Sequence, residues 1–294
     1  MKSGFVSIIG RPNVGKSTLL NTIMERKIAI TSSKAQTTRN NIMGIYHGDD
    51  TQIIFIDTPG IHKPKHNLGK ALNSKAYYSI NDVDLVVLVV DISEPLGKGD
   101  QFVIEKLKDI DKPVILVLNK IDKVRREDIL RKIHEYKDLY DFKEIIPLSG
   151  KNKKDTDILI KEIRKYLTDD IKYYDEDYIT DKNTEFFIAE YVREKILNYT
   201  NDEVPHAITC ITENIKVGKD ATEIDVLIIV EREGLKKIII GHQGEMIKSI
   251  GIAARKDIEE LLGRKVYLNL FVKTIPRWRS KEKYLLELGF KNNE

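Results

Sequence analysis

Two glycines, a lysine and a hydroxyl stand at fixed intervals in Gly10-Arg11-Pro12-Asn13-Val14-Gly15-Lys16-Ser17, the spacing G-x-x-x-x-G-K-S. Residues of these types can grip a phosphate chain. Gly10 and Gly15 allow a tight turn, so successive N–H groups can point into one anion-binding hollow. The helix-forming segment that opens at Ser17 adds unsatisfied donors and partial positive charge. Lys16 would reach the β- and γ-phosphates and the Ser17 hydroxyl would ligate Mg²⁺, with Asn13, Val14 and Thr18 completing the loop's contacts. The motif implies a nucleoside triphosphate.

Three later segments narrow the ligand and the reaction. Asp57-Thr58-Pro59-Gly60 ends the apolar run Ile53–Ile56. A carboxylate at such a strand tip can hold Mg²⁺ through a water, and Gly60 lets its N–H approach the γ-phosphate closely. Asn119-Lys120-Ile121-Asp122 follows the apolar run Pro113–Leu118. The Asp122 carboxylate can accept from the N1–H and exocyclic amine of guanine; adenine presents a lone pair at N1 and no amine on that edge. Sites built on such pairing reject the wrong partner by ~10⁴-fold. Asn119 would brace the loop, and the alkyl stem of Lys120 would lie along the base plane. Ser149-Gly150-Lys151, after the apolar run Glu144–Leu148, suits backbone contact with the guanine carbonyl. These residues point to GTP or GDP.

Taken together, G-R-P-N-V-G-K-S-T, Gln36-Thr37-Thr38-Arg39, D-T-P-G-I-H and N-K-I-D resemble the translation-factor-type GTPases, and more closely the bacterial Era family. The likeness extends over nearly the whole chain. It implies that residues 36–40 form a switch segment whose threonine ligates Mg²⁺, with Thr38 favoured over Thr37. It also implies that Lys16, Thr38 and Gly60 carry the catalytic work and that Asn13 is similar to a residue that coordinates activating K⁺ in related GTPases. Many small GTPases place a water-orienting glutamine right after D-x-x-G. Here that position is Ile61, so slow intrinsic hydrolysis is expected. Arg39 is conceivable as an arginine finger but nothing in the sequence supports it.

The elements needed to position these motifs are legible. Apolar strands alternate with amphipathic helical segments near 68–80, 101–110, 129–139 and 156–167, predicting a mostly parallel sheet covered on both faces, with the ligand at the strands' carboxyl ends. A chain of 294 residues has room for two domains. Residues 1–168 are expected to form the GTPase domain, 169–184 an acidic linker, and 185–294 a second domain with a basic tail. Between Asp169 and Glu185 there are seven acids against two lysines, whereas Leu235 to Lys283 holds twelve Lys/Arg against five Asp/Glu. A basic module behind a near-neutral one points to an anionic partner. No apolar run approaches the ~18 residues of a membrane helix, and the first strand begins almost at Met1, so no targeting peptide is expected. The single cysteine, Cys210, excludes an internal disulfide, suits a cytosolic setting and reads as a small buried side chain. His47, His62, His66 and His134 show no metal-ligand spacing.

In the second half, a helix from Phe186 to Tyr199 precedes strand-like runs at His206–Glu213 and Glu223–Val230, with a turn-rich loop 214–220 between them. Leu235–Ile240 reads equally as a short helix or a strand. Gly241-His242-Gln243-Gly244 then opens a long amphipathic helix, Glu245–Leu262, followed by the strand Val266–Val272. G-x-x-G in this order of elements looks like a type II KH module. Its glycines would let a sugar-phosphate backbone pass, and bases would lie along Ile240, Ile247 and Ile250 with Lys248 nearby. His242 and Gln243 depart from the Lys or Arg usual in such loops, which weakens the phosphate attraction. Arg277-Trp278-Arg279 combines cations with the only tryptophan, suited either to stacking on an exposed base or to plugging the domain edge against Leu285 and Leu286.

The fold class expected is therefore α/β, a P-loop GTPase with a smaller α+β type II KH domain behind it. The Era resemblance further implies a cytoplasmic monomer that binds the 3′ end of small-subunit ribosomal RNA and acts in 30S subunit assembly, with possible peripheral association at the inner face of the cell membrane. Two rivals stand beside this reading. One is a membrane-surface GTPase in division control, and the other a nucleic-acid-modifying enzyme switched by GTP, for which no second catalytic centre is visible.

Overall fold

The computed structural model describes all residues except Ala35, Lys65, His66 and residues 291–294, so the expectation attached to His66 lies outside it. Apart from two short stretches, residues 1–181 form one compact unit and those from Lys182 onward form another.

The first unit runs β1 (Lys2–Ile9), α1 (Lys16–Met24), β2 (Ile42–Gly48), β3 (Thr51–Asp57), α2 (Asn67–Asn81), β4 (Leu85–Asp91), α3 (Lys98–Leu107), β5 (Val114–Asn119), α4 (Arg126–Lys137), β6 (Glu144–Leu148) and α5 (Lys153–Arg164). Its sheet has the order β2-β3-β1-β4-β5-β6. All neighbours are parallel except β2 and β3, which pair antiparallel with Ile42 opposite Asp57. Every residue of β4 and β5 is buried, as a continuous apolar strand between two helical layers must be. On one side Ile80, Val86, Leu88, Val103, Leu116 and Tyr136 share a core into which Ile61 also inserts. The loops after β1, β3, β5 and β6 all leave the carboxyl edge of this sheet, so the four motifs meet at one rim.

The acidic stretch expected as a linker does not hang loose over its first part. Asp169 bridges to Ser3 and Thr180 to Gly44, and the Ile45 amide donates to the Ile179 carbonyl at 2.8 Å. Gln52 fastens the middle: its Oε1 accepts from the amides of Tyr173 and Tyr174, and its Nε2 donates to the Tyr174 carbonyl at 2.7 Å. The stretch thereby partners the outer edge of β2, which would otherwise present unpaired backbone groups.

The second unit runs α6 (Thr184–Tyr199), β7 (Ile208–Val217), β8 (Thr222–Val230), α7 (Glu233–Ile240), α8 (Glu245–Leu262), β9 (Val266–Thr274) and α9 (Glu282–Glu287). Its sheet has the order β7-β8-β9, antiparallel then parallel. Val192 and Ile196 of α6 and Ile250, Ala254 and Ile258 of α8 are buried, the i, i+4 stripes that cover one sheet face. The ambiguous run 235–240 is helical, with Leu235 and Ile239 buried one turn apart. Residues 214–217, expected in a loop, lie instead in β7. A register shift between Thr212 and Asn214 breaks the alternation that would have disclosed the strand. Cys210 is half-buried on β7 rather than enclosed. Among the described residues no helix is long and apolar enough to cross a membrane.

Candidate functional site

At the phosphate end, Gly10 and Gly15 both take positive φ, +151° and +100°. A Cβ on Gly10 would meet the Val89 carbonyl at 2.3 Å, and one on Gly15 would meet Asn119 Nδ2 at 2.4 Å, so the glycine requirement is steric as well as conformational. Lys16 heads α1 and folds back over the loop, with Nζ donating to the carbonyls of Gly10 and Arg11 at 3.3 and 3.2 Å. Burial pulls its pKa down to about 8, against the opposing pull of Asp57. Burial likewise pushes Asp57 up to about 6, although Lys16, Ser17, Thr38 and the Thr58 amide all favour its charge. This pocket holds two groups whose charges lack solvent.

Three oxygen-bearing residues, from α1, the segment before β2 and the end of β3, converge beside Lys16. Ser17 Oγ lies 2.8 Å from both Thr38 Oγ1 and Asp57 Oδ2. Asp57 Oδ1 is buried with no hydrogen-bond partner. An orphaned buried carboxylate oxygen beside two hydroxyls is a donor set suited to a hard cation such as Mg²⁺. Thr37 turns away, its hydroxyl donating to the Lys34 carbonyl at 2.6 Å, so Thr38 is the threonine that faces Ser17. Thr58 and Pro59 are buried, and Thr58 Oγ1 donates to the Ile8 carbonyl at the end of β1. Gly60 packs against the phosphate loop so closely that a Cβ would lie 2.6 Å from Pro12 N. Arg39 is buried at 1% exposure, which leaves it unsuited to project as a finger.

At the base end Asn119 is a hub. Its Nδ2 donates to the Val14 carbonyl at 2.7 Å, and its Oδ1 accepts from the Gly150 amide at 2.8 Å and the Lys120 amide at 2.7 Å. One side chain thus ties the phosphate loop to both base-facing loops. Lys120, at φ +67°, donates from Nζ to the Asn13 carbonyl at 2.8 Å and to Asp91 Oδ2 at 2.5 Å. Asp122 is exposed and its Oδ1 accepts from Ser149 Oγ at 2.7 Å, a bond that holds the carboxyl below its usual range. Lys151 is exposed at the end of the same rim, and Thr18 is half-exposed at the start of α1.

Several contributors were not singled out from the motifs. Asp91 ends β4. Burial opposes its ionisation, yet Lys120 and Ser93 hold it charged below the ordinary range. Arg11 donates to Glu94 Oε2 at 2.6 Å and from Nε to the buried Asp100 Oδ1 at 2.9 Å, anchoring the phosphate loop to the start of α3. Asp155 Oδ2 accepts from the Ser149 amide at 2.8 Å and so shapes the last loop. The visible signal was an acid closing an apolar strand, as Asp91 does.

In the second unit, Gly241, Gln243 and Gly244 take φ of +73°, +48° and +83°. A Cβ at Gly241 would strike Met246 N at 2.8 Å, whereas space around Gly244 is open. His242, Gln243 and Lys248 are exposed, and Ile240 and Ile247 are half-buried beside them. Stacking of a base on Trp278 does not hold. The indole is fully buried, lies against Phe290 with ring centroids 5.9 Å apart, and donates from Nε1 to the Ala207 carbonyl at 3.2 Å. Its apolar area and its N–H are both better satisfied inside the domain than in water. Arg279 is likewise engaged, with Glu231 at 2.5 Å and the His206 carbonyl at 3.1 Å. Of this trio only Arg277 is exposed.

Comparison with known proteins agrees with the order of these elements. A family model described as a 50S ribosome-binding GTPase matches residues 5–120, and a KH domain model matches residues 203–279. A single-residue variant of Era from Aquifex aeolicus, solved with GDP·AlF4⁻, is 40% identical with a TM-score of 0.95, over 99% of this chain and 100% of that one. A structure of Era in complex with MgGDPNP and nucleotides 1506–1542 of 16S ribosomal RNA gives 40% identity and a TM-score of 0.94 over the same shares. The chain belongs to the Era family, a GTP-hydrolysing P-loop domain followed by a KH domain.

Proposed function

We propose that this protein is a GTP-driven switch that binds the 3′ end of small-subunit ribosomal RNA and acts in assembly of the 30S subunit. The observation that carries the reading is the match along the full chain to an Era complex holding both MgGDPNP and 16S nucleotides 1506–1542. Two places in this chain have the matching chemistry: one converges Ser17, Thr38 and Asp57, and the other presents Gly241–Gly244 at the start of α8.

On this reading Gly10, Asn13, Val14, Gly15, Lys16, Ser17 and Thr18 hold the phosphates, and Asp57–Gly60 faces the terminal one. Asn119, Lys120 and Asp122 select guanine, with Ser149, Gly150 and Lys151 closing over the base. Mg²⁺, held by Ser17, Thr38 and, through water, Asp57, would supply positive charge to the β- and γ-phosphate oxygens. Lys16 needs only to turn from the two carbonyls it now contacts to place its charge on the transferring phosphate. Ile61 is buried in the core, so backbone groups rather than that side chain must position the attacking water. A K⁺ beside Asn13 would add charge there; hydrolysis compared in K⁺ and Na⁺ buffers tests it, and equal rates dismiss it.

The second unit reads RNA through Ile240, Gly241, His242, Gln243, Gly244, Ile247, Lys248 and Arg277. Trp278 and Arg279 support that surface from within. GTP orders the Thr38 and Asp57–Ile61 loops and hydrolysis releases them, which alters the grip on RNA. Crosslinking the protein to total cellular RNA, followed by sequencing, tests the ligand. Reads concentrated at the 3′ end of small-subunit RNA are expected, and an even spread over all transcripts would overturn the assignment.

A further inference from the structure

Ile61, in the loop that follows Asp57, has a side chain that cannot hold a water, yet the loop's backbone is fastened from two directions. On one side the Ile61 amide donates to the Gly10 carbonyl at 3.1 Å, and Gly60 lies against Pro12. On the other side stands α2. Asn73, buried on that helix, donates from Nδ2 to the His62 carbonyl at 2.6 Å and accepts from the His62 amide through Oδ1 at 3.3 Å. The His62 imidazole then turns back, and Nδ1 lies 2.8 Å from the Gly60 carbonyl. That contact needs a proton on Nδ1, which the imidazolium and one neutral tautomer both supply.

We infer that Asn73 is a positioning residue for GTP hydrolysis, acting through His62 to fix the Gly60 peptide against the terminal phosphate. The inference rests on the role proposed above for Gly60. Glycine is the residue with the most backbone freedom to lose. A loop built around it must be ordered either by the nucleotide at each turnover or by the protein beforehand. The relay from Gly60 through His62 to Asn73 does the second, and prior ordering of groups aimed at developing charge lowers the barrier. Because the role proposed for this loop lies at the γ-phosphate, which GDP lacks, loosening it should impair hydrolysis while leaving GDP binding intact.

The test compares single-turnover hydrolysis at saturating GTP with GDP affinity in the full chain. Asn73→Leu and His62→Leu should each slow hydrolysis about tenfold, with GDP affinity kept within about twofold. Combining them should cost no more than either alone, as expected of groups in one relay. His62→Asn keeps a donor near the position of Nδ1 and should restore the rate to within about threefold of wild type. If Asn73→Leu fails to fold, Asn73→Asp, which keeps the volume but removes the donor, and the half-buried His62 variants carry the test. Gly60→Ala separates the two layers of the argument. Wild-type hydrolysis by Asn73→Leu with an inactive Gly60→Ala overturns the relay alone, and an active Gly60→Ala overturns the role of Gly60 as well. A fall in GDP affinity matching the fall in rate overturns the positioning role in favour of general damage to the site.

Discussion

Two glycine loops open helices in this chain, and they are built in opposite ways. The loop Gly10–Ser17 is braced from four sides: Asn119 on Val14, Lys120 on Asn13, Asp100 and Glu94 on Arg11, and Pro12 against Gly60. The loop Gly241–Gly244 is held at its ends, by Gly241 N to Lys237 O at 2.9 Å and Gly244 N to Gly241 O at 3.4 Å, with His242 and Gln243 exposed between. A small ligand of fixed shape rewards prior ordering. A polymer that must slide into register rewards an open turn with few side chains in the way. The same G-x-n-G signature therefore encodes two kinds of recognition, and the difference lies in what surrounds it.

The largest effect should come from the base end of the braced site. Asp122→Asn removes an acceptor held ready by Ser149, and GDP affinity measured by calorimetry should fall by ~10²–10⁴-fold, with RNA binding untouched. Next is the interior of the RNA module. Trp278→Ala removes a fully buried indole and should destabilise the second unit by about 3–5 kcal/mol in denaturant unfolding, whereas a base-stacking role would leave stability unchanged.

A paired substitution sharpens the contrast between the loops. Gly15→Ala drives a methyl onto Asn119 Nδ2 and should weaken GDP binding at least about tenfold. Gly244→Ala meets open space and bears only the strain of positive φ, about 1 kcal/mol, so RNA affinity should change by a few-fold at most. A further effect concerns stability without nucleotide. Asp57, pushed up to about 6 by burial, is ionised at pH 7.5 at a cost to the folded state. Asp57→Asn should therefore raise the melting point of nucleotide-free protein, by about 1–3 kcal/mol in stability. The sign follows from linkage. A raised folded pKa means that stability is lost as pH climbs from about 4 through about 6, so the gain should vanish below pH 4. An unchanged melting point at pH 7.5 would show that the buried carboxylate is better compensated than its surroundings indicate.

How much of this was readable in advance depends on whether the signal was local. The phosphate loop, the Asp57 tip and the Asn119–Asp122 tetrad are contiguous motifs ending apolar strands, and each lands at the carboxyl rim. Thr38 rather than Thr37 turns its hydroxyl toward Ser17. What escaped was contact between distant segments. Asp91 with Lys120, Arg11 with Asp100, and Asn73 with His62 each pair residues from different elements, with no fixed spacing to betray them. Trp278 stayed open between stacking and plugging for a related reason: its flanking arginines suit a surface stacker, while its burial depends on contacts with distant Phe290 and the Ala207 carbonyl. The edge strand β2 and the far end of β7 were missed because glycine in one and a bulge in the other break the alternation.

The central claim is that occupancy of the braced loop governs what the open loop holds. It is tested most directly by titrating the full chain onto an RNA carrying the 3′ end of small-subunit ribosomal RNA, once with GDP and once with a non-hydrolysable GTP analogue and Mg²⁺. The account predicts dissociation constants that differ by about fivefold or more, the span of an ordinary coupling free energy. Identical constants in the two nucleotide states would contradict it.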